Sequence, residues 1–466
     1  MLGMGNMRQW LMNISLVGGW FPAAAFAVIA VLSVTLLVSA AVSKRDGRIL
    51  ATVLPIGVAA VSGMVGYVVA WLLSDVFVVF GVGLGSRVMS WVAAGFAIAG
   101  FAIVHIVLSR GMMRVAAAIL TVFAILAAAI GIDQSYGEYA TIGSLFGEDS
   151  YSQADLTGLA KRKDLITVAQ WRKQAANGTI RNIPANGTVN KIDIPATKSQ
   201  FEARKALVYL PPAALADSKR KPALPVVLML SGQPGSPGRV FQAGGIQTMM
   251  DGYAKTHDGL APIVIAADQL GADSHNTLCV DSKVYGNALT YLTQDVVDWV
   301  KTNLPAAQDA KDWAIAGFSQ GATCSLQIGV NHPDLFGTMI PTDSEIKPTN
   351  GSRQEMIDRF FDGDTTAYEN QVPVNAIRNH APTHQMLIIG AGEKDTTSIR
   401  NVKTIAPVAA KAGMRVAAVE SSGNAHDWHV VQDVLRYGLA VFGHDTGLDG
   451  ANPNLSDYPN LKRITI

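Results

Sequence analysis

A serine between two glycines carries the clearest chemistry in this sequence. The segment Trp313–Cys324 contains Gly317-Phe-Ser319-Gln-Gly321, which has the form G-x-S-x-G, and it follows an apolar run and precedes a helical pattern. A strand, a sharp turn and a helix in this order place a serine hydroxyl at the edge of a sheet, where it can attack a carbonyl carbon. The glycines allow the close backbone approach that such a turn requires. The alternative is a purely structural Gly-Ser turn.

A serine nucleophile needs a general base, and the base needs an acid that orients it. Where G-x-S-x-G carries the nucleophile, these residues follow in the order serine, acid, histidine. After Ser319 the sequence offers Asp395 and then His426, each in a loop that leaves a predicted strand. We predict these three residues as a catalytic triad. Glu393 is the second candidate for the acid, and His429, which would fall inside the following helix, is the second candidate for the base.

Two backbone amides are expected to stabilise the negative charge that develops on the attacked carbonyl oxygen. One is the amide of Gln320, at the start of the helix after the nucleophile, where the helix dipole adds to the effect. The other is the amide of Gln233, in a loop rich in glycine and proline after the predicted strand Pro225–Leu230. The alternative for this loop is an ordinary surface turn.

Further polar residues follow the predicted strand Pro262–Ala267. They are Asp268, Gln269, Asp273, His275, Asn276 and Asp281. Because this strand would end at the same edge of the sheet as the nucleophile, we expect these side chains to contact polar groups of the substrate.

The elements that must position these residues alternate along the chain. The predicted strands are Ile192–Ala196, Ala203–Leu210, Pro225–Leu230, Pro262–Ala267, Trp313–Ala316, Gln385–Ile389 and Val416–Val419. The predicted helices are Ala288–Leu304, Ala322–His332 and Val402–Ala412, with one more near Asp155–Ala176. Near-continuous apolar strands are typical of parallel sheets that are covered on both faces. The pattern therefore predicts one α/β domain with a mostly parallel sheet flanked by helices.

The N-terminal part of the chain has a different composition. Charged residues make up 16% of the 466 residues, but only nine of them fall within 1–132. Four apolar runs are long enough to cross a bilayer, which takes about 20 residues of helix. These runs are Trp20–Ser43, Leu50–Leu73, Val88–Leu108 and Val115–Ile132. The sequence therefore predicts a four-helix transmembrane region. The net charge of +1 argues against a nucleic-acid partner held by a basic surface.

Charges in the predicted loops indicate an orientation. Lys44, Arg45 and Arg48 lie in the first loop, and Arg110 and Arg114 lie in the third. Positive residues favour the cytoplasmic side, so both chain ends would face outwards. We expect a transmembrane domain over 1–132, a linker and lead-in over 133–189, the α/β domain over 190–450 and a C-terminal tail over 451–466.

The two cysteines, Cys279 and Cys324, both fall in the α/β domain. In an oxidising compartment they could form a disulfide between a loop near the site and the helix after Ser319. The alternative is two separate thiols. The sequence contains no evident cluster of metal ligands, so we expect neither a metal nor another cofactor.

Residues 190–445 resemble the esterase D and mycolyltransferase-like branch of the α/β-hydrolases. The resemblance rests on Leu230-Ser-Gly-Gln, Gly317-Phe-Ser-Gln-Gly, His332-Pro-Asp-Leu-Phe, Gly392-Glu-Lys-Asp395 and His426-Asp-Trp. It implies an α/β-hydrolase fold, with the oxyanion amides at Gln233 and Gln320 and the triad at the three residues predicted above. The four spans followed by this domain resemble membrane-tethered esterase-like proteins of actinobacterial type.

These observations predict a membrane-anchored serine esterase or acyltransferase with its catalytic domain on the extracytoplasmic side. Its partners would be the lipid bilayer and an acyl ester of a cell-envelope lipid or glycan, because a tethered enzyme is concentrated near such molecules. A protein of another class is the alternative: a catalytically inactive, esterase-like protein that binds or scaffolds components of the envelope.

Overall fold

The computed structural model describes residues 4–42, 48–77, 79, 83–149, 151–160, 164–180 and 182–466. The chain divides into two compact units, and the main boundary lies between Asp149 and Ser150. The helices of the first unit are α1 (Met4–Met12), α2 (Trp20–Ala41), α3 (Arg48–Trp71, followed by a π-helical turn over Leu72–Val76), α4 (Gly85–Leu108), α5 (Met112–Tyr136) and α6 (Ile142–Leu145).

Four of these helices are long and apolar enough to cross a membrane. The spans are Trp20–Ala41, Thr52–Val76, Gly85–Leu108 and Met112–Tyr136. Large apolar side chains such as Met64 and Val122 are more than 60% exposed on the surface of this unit. Such a surface suits hydrocarbon rather than water, because the transfer of apolar groups out of water lowers the free energy. The number and position of the spans match the prediction, whereas the loop residues Lys44 and Arg45 lie outside the described part of the chain.

Small residues bring α3 and α4 close together. A Cβ atom at position 100 would lie 2.4 Å from the Ser62 hydroxyl, and one at position 63 would lie 3.1 Å from the Ala97 Cβ. Between helices in lipid, small residues allow close van der Waals packing, which supports association there. The packing of this unit is therefore that expected for helices in a membrane.

A ten-stranded sheet forms the centre of the second unit. Its strands are β1 (Ser152–Gln153), β2 (Thr188–Ile192), β3 (Ala206–Leu210), β4 (Val226–Leu230), β5 (Ile263–Ala266), β6 (Trp313–Phe318), β7 (Thr338–Thr342), β8 (Met386–Gly392), β9 (Arg415–Ser421) and β10 (Leu461–Arg463). Their order in the sheet is β1-β2-β3-β5-β4-β6-β7-β8-β9-β10. The neighbours from β5 to β9 are all parallel, and β3 and β10 join them antiparallel. Two further strand pairs lie outside this sheet, Leu165–Ile166 with Lys221–Pro222 and Asp281–Ser282 with Gly286–Asn287.

Helices cover both faces of the sheet. The helices of this unit are α7 (Val168–Ala176), α8 (Pro212–Leu215), α9 (Pro237–Ala243), α10 (Ile246–Lys255), α11 (Ala288–Thr290, continued by a π-helical turn over Tyr291–Asp295), α12 (Val296–Asn303), α13 (Gln320–Asn331), α14 (Arg353–Phe360), α15 (Thr365–Glu369), α16 (Pro373–Asn379), α17 (Thr396–Lys411) and α18 (Trp428–Asp445). One core lies between the sheet and α12, α13 and α17, and the other lies between the sheet and α9, α10 and α18. Alternate residues of β4 enter the two cores, with Leu228 in the first and Met229 in the second. This is why its apolar run is continuous, and it agrees with the predicted fold class.

The observed elements differ from the predicted ones at a few places. β7 was not predicted, because Pro341 lies inside its five residues and proline lowers the expectation of a strand. The first strand was predicted at Ile192–Ala196, whereas β2 ends at Ile192. The helix expected near Asp155–Ala176 is confined to α7. Residues 451–466, expected as a tail, contribute β10, which pairs with the end of β9.

Candidate active site

Ser319 lies on a strained turn between β6 and α13. Its φ is 55° and its ψ is −117°, so a residue with a Cβ atom occupies the left-handed half of backbone space. Such a conformation costs on the order of 1–3 kcal/mol and persists only where the surrounding structure enforces it. The turn directs the chain from a buried strand into a buried helix within one residue, as the G-x-S-x-G pattern predicts.

The two glycines of the motif are required by close backbone contacts. A Cβ atom at position 317 would lie 2.1 Å from the carbonyl oxygen of Gly321. One at position 321 would lie 2.3 Å from the carbonyl oxygen of Ser231. Any side chain at either position would therefore force the turn away from β4 or from its own helix.

Hydrogen bonds tie the ends of β6, β7 and β8 together at this edge of the sheet. The Ser319 amide donates to the Thr342 carbonyl at 3.0 Å, and the Asp343 amide donates to the Gly390 carbonyl at 2.9 Å. The Gly392 amide donates to Asp343 Oδ1 at 2.9 Å. Ser319 and the loop that carries the predicted acid therefore belong to one hydrogen-bonded edge.

Asp395 caps the N-terminus of α17. Its Oδ1 accepts hydrogen bonds from the amides of Thr397 and Ser398 at 3.1 and 3.0 Å. The Ser398 hydroxyl donates to Oδ2 at 2.6 Å. These bonds fix the orientation of the carboxylate, as is usual for an aspartate that caps a helix.

Glu393, the second candidate for the acid, lies in the same loop, and both of its oxygen atoms accept hydrogen bonds. Its Oε2 accepts from the Gly423 amide at 2.7 Å and its Oε1 accepts from Lys462 Nζ at 3.0 Å. The Gly423 amide and then the Lys462 ammonium lower the pKa of this carboxyl group. One oxygen atom therefore holds the loop after β9, and the other holds β10.

His426 lies in that loop, between β9 and α18. The Lys394 amide donates to the Asn424 carbonyl at 2.9 Å, so the loops that carry the predicted acid and base are bonded to each other. A carboxylate oxygen of Asp343, a carboxylate oxygen of Asp395 and a ring nitrogen of His426 lie within 4.8 Å of one another. His429, the second candidate for the base, lies in the first turn of α18.

Asp343 is the residue of this cluster that the sequence analysis missed. It follows β7 directly, has a φ of 53° and is buried. The sequence did contain a signal. Asp343 comes directly after a short run with apolar residues, and this run is the first possible strand after the helix that follows Ser319. One imidazole and two carboxylates are also groups that can bind a metal ion, and an imidazole oriented by a carboxylate is equally the arrangement of an acid–base pair.

The predicted oxyanion residues lie in two segments next to Ser319. Gln320 is the first residue of α13, and Gln233 lies in the loop Ser231–Gly235 that follows β4. A Cβ atom at Gly232 would lie only 3.5 Å from the Ser319 Cβ, so this loop passes beside the nucleophile. The two segments that carry the predicted amides therefore lie next to Ser319, and their binding of an oxyanion stays a prediction.

The expectation of substrate contact is wrong for two of the polar residues after β5. Asp268 and Gln269 have no exposed surface, and their side chains bond to protein groups. Two others also bind within the protein, since Asn276 donates to the Thr349 carbonyl and Asp281 accepts from Thr290. Burial removes the side chains of Asp268 and Gln269 from reach of a ligand.

Cys279 and Cys324 form a disulfide, with their Cα atoms 5.7 Å apart. The bond joins the loop after β5 to α13, one turn after Gln320. Gln320 Nε2 lies 3.3 Å from Cys324 Sγ and 3.3 Å from Asn276 Oδ1. The disulfide therefore contacts Gln320, the residue that follows Ser319.

Comparison with known proteins identifies the family. Residues 198–440, just over half of the chain, match the family described as "Putative esterase". The chain belongs to this esterase family. Its second unit is accordingly a hydrolase of the esterase branch of the α/β-hydrolases, which confirms the predicted resemblance.

Relatives of this esterase include an uncharacterized protein of Corynebacterium glutamicum. The two are 32% identical over 333 residues, which cover 70% of this chain and 74% of the relative. Among solved structures, an S-formylglutathione hydrolase from Agrobacterium tumefaciens is 16% identical with a TM-score of 0.46, covering 57% of this chain and 99% of that one. A fluorophosphonate-binding serine hydrolase from Staphylococcus aureus is 14% identical with a TM-score of 0.44, covering 55% of this chain and 98% of that one.

The close contact at Gly321 generates a testable prediction for this esterase. Gly321→Ala should destabilise the second unit by about 1–3 kcal/mol, because the added methyl group overlaps the Ser231 carbonyl. It should also slow the reaction of Ser319 with a fluorophosphonate by at least about tenfold, since an error of 1 Å in geometry costs up to about 100-fold. Thermal unfolding and the labelling rate of the full-length protein in detergent measure the two effects.

Gly252→Ala is the matched control. This glycine lies in α10, and no atom lies within 4 Å of the Cβ that alanine would add. The control should keep wild-type labelling and gain up to about 1 kcal/mol from the higher helix propensity of alanine. Equal behaviour of the two variants would contradict the steric account of the turn.

Proposed function

We propose that the protein is a membrane-anchored serine esterase or acyltransferase in which Ser319 is the nucleophile. The observation that carries the proposal is the backbone of Ser319, held at a φ of 55° on a turn whose two glycines admit no side chain. A conformation this unfavourable is maintained where it serves the site. The loops of Asp395 and His426 end at the same edge of the sheet and are bonded to each other.

In the proposed reaction His426 takes the proton from the Ser319 hydroxyl while Ser319 Oγ attacks the ester carbonyl carbon. The amides of Gln233 and Gln320 bind the oxyanion of the tetrahedral intermediate, and each such donor contributes about 10²–10³ in kcat. The intermediate collapses to an acyl-serine, and the alcohol leaves with the proton from His426. Water or the hydroxyl group of an acceptor then attacks the acyl group, with His426 again as base. Asp395 orients His426.

We further propose that the catalytic unit faces the extracytoplasmic side. The disulfide between Cys279 and Cys324 supports this, because disulfides persist in oxidising compartments and are rare in reducing ones. The positive charge of the first and third loops favours the same orientation. On that side, the tethered enzyme would meet ester-linked acyl groups of cell-envelope lipids or glycans, which we propose as its substrates.

Labelling with a fluorophosphonate tests the proposed nucleophile and base. The full-length protein in detergent should be labelled, and Ser319→Ala should abolish the labelling. His426→Ala should slow it by about 10²–10⁴, the usual contribution of a general base. His429→Ala should be labelled like the wild type, because this second histidine would not act as the base.

Two outcomes would contradict the proposal. Labelling that survives in Ser319→Ala would place the reactive serine elsewhere. A folded wild-type protein that takes no label would exclude an activated serine and would support the inactive, esterase-like scaffold instead. Ser325→Ala is a suitable control for non-specific effects, because this buried serine of α13 only donates to the Ala322 carbonyl.

A pair of isosteric variants decides which carboxylate orients His426. Asp395→Asn should lower kcat by about 10³–10⁴, because an amide cannot hold the imidazole in the required tautomer. Asp343→Asn should lower it less than tenfold. Hydrolysis of p-nitrophenyl butyrate measures both, and asparagine still caps α17, so the first variant should fold. The reverse order of the two effects would transfer the role to Asp343.

Protease protection tests the proposed side of the membrane. Protease added to intact spheroplasts that express the full-length chain should remove the C-terminal 317 residues or fragments of them, since these begin at Ser150. A cytoplasmic marker protein should survive in the same sample. Protection of the catalytic unit until the cells are lysed would place it in the cytoplasm and contradict the proposal.

A further inference from the structure

Asp268 and Gln269 are consecutive, fully buried residues that follow β5. Their side chains lead to the two ends of the oxyanion loop, Ser231–Gly235. We propose that Asp268 and Gln269, together with Arg204, are positioning residues that hold this loop in the geometry needed for oxyanion binding. The catalytic part of this inference rests on the proposed function, whereas its structural part does not.

Gln269 holds the first end of the oxyanion loop. Its Nε2 donates to the Ser231 carbonyl at 2.6 Å and to Gln320 Oε1 at 3.2 Å. Both partners are oxygen atoms, so the network assigns the amide nitrogen to this position rather than the oxygen. One side chain thus joins the loop of Gln233 to the helix start at Gln320, the two segments that supply the oxyanion amides.

Arg204 and Asp268 hold the second end. Arg204 Nη2 donates to the Gly235 carbonyl at 2.9 Å. The same guanidinium binds Asp268 through two parallel bonds, Nε to Oδ2 at 2.9 Å and Nη2 to Oδ1 at 2.8 Å. Asp268 also accepts from the amides of Leu270 and Gly271, both at 3.1 Å. The buried carboxylate is therefore fully bonded, and it fixes the plane of the arginine that reaches the loop.

The loop between these two points is tightly folded beside Ser319. A Cβ atom at position 235 would lie 2.1 Å from the Gly232 carbonyl oxygen, so the loop folds back on itself. Fixing the carbonyl groups of Ser231 and Gly235 restricts the rotation of the peptide planes between them. The Gln233 amide lies within this restricted stretch, and an oxyanion donor must be held about 3 Å from the developing charge.

Burial separates this role from substrate binding. Gln269 and Asp268 cannot touch a ligand, so their loss should change the rate of the chemical step and not the affinity for the ester. The loss of an interaction that acts only in the transition state lowers kcat and leaves KM nearly constant. Removing Gln269 also leaves the Ser231 carbonyl without its buried donor, which should loosen the loop.

The test compares two pairs of variants in the full-length protein in detergent. Gln269→Met is matched by Gln385→Met, because Gln385 is also buried and donates to two carbonyls, those of Gly329 and Phe336, but before β8 at the opposite edge of the sheet. Arg204→Met is matched by Arg415→Met, which breaks the ion pair with Asp445 at the start of β9. Arg204→Lys is the milder variant, since it keeps the charge and loses the parallel bonds.

Two measurements are made on each variant. Hydrogen exchange followed by mass spectrometry should show amides of peptides spanning 231–235 exchanging at least about tenfold faster in Gln269→Met and in the Arg204 variants, and at the wild-type rate in the two controls. For p-nitrophenyl butyrate, kcat should fall by about 10- to 100-fold with KM within about twofold, which is less than the loss of a whole oxyanion donor.

The outcomes distinguish this inference from the proposed function. Unchanged exchange over 231–235 in folded variants would overturn the positioning role. Faster exchange with unchanged kcat, or a raised KM at constant kcat, would overturn its link to catalysis. A wild-type protein without turnover would refute the proposed function alone, because the exchange rates would still decide whether these residues hold the loop. If Arg204→Met does not fold, Arg204→Lys decides whether Arg204 holds the loop.

Discussion

The contact between Gly321 and the Ser231 carbonyl is the constraint on which the site depends. It brings the start of α13 against the end of β4, with no room for a single methyl group between them. The strained backbone of Ser319 follows from this contact, because the chain must turn from β6 into α13 without moving away from β4. β6 lies between β4 and β7, and all six of its residues are buried, so the sheet supplies the rigidity that holds the strain.

The same edge of the sheet collects the other groups by a simple rule of topology. Parallel strands end on one side, and the loops that leave them converge there. In this protein the convergence is reinforced by backbone bonds that run from one loop to the next, from Ser319 to Thr342, from Asp343 to Gly390 and from Lys394 to Asn424. The site is therefore assembled by main-chain geometry, and each side chain needs only its local conformation to reach its place.

Local signals in the sequence were sufficient for part of this arrangement. The Ser319 turn could be predicted because its glycines, the preceding apolar run and the following helix are adjacent in the chain. The spans could be predicted because each is an apolar run of the length, about 20 residues, that a helix needs to cross a bilayer. Asp343 was not predicted, because Pro341 lowers the expectation of a strand at β7 and because the closeness of Asp343 to Asp395 arises only from strand pairing. The burial of Asp268 and Gln269 was also not predictable, since polarity at the end of a strand suggests a ligand as readily as an internal partner.

The disulfide joins the two parts of the site that lie on either side of Gln320. It connects the loop that carries Asp268 and Gln269 with α13, so the elements that hold the oxyanion loop and the element that presents Ser319 are covalently joined. Gln320 lies between them, bonded to Gln269 through its oxygen and close to Cys324 and Asn276 through its nitrogen. Gln320, whose own amide is one of the two proposed donors, is therefore in contact with both sides. If the Gln320 amide is an oxyanion donor as proposed, its position depends in part on a bond that an oxidising compartment preserves, which agrees with the proposed extracytoplasmic side.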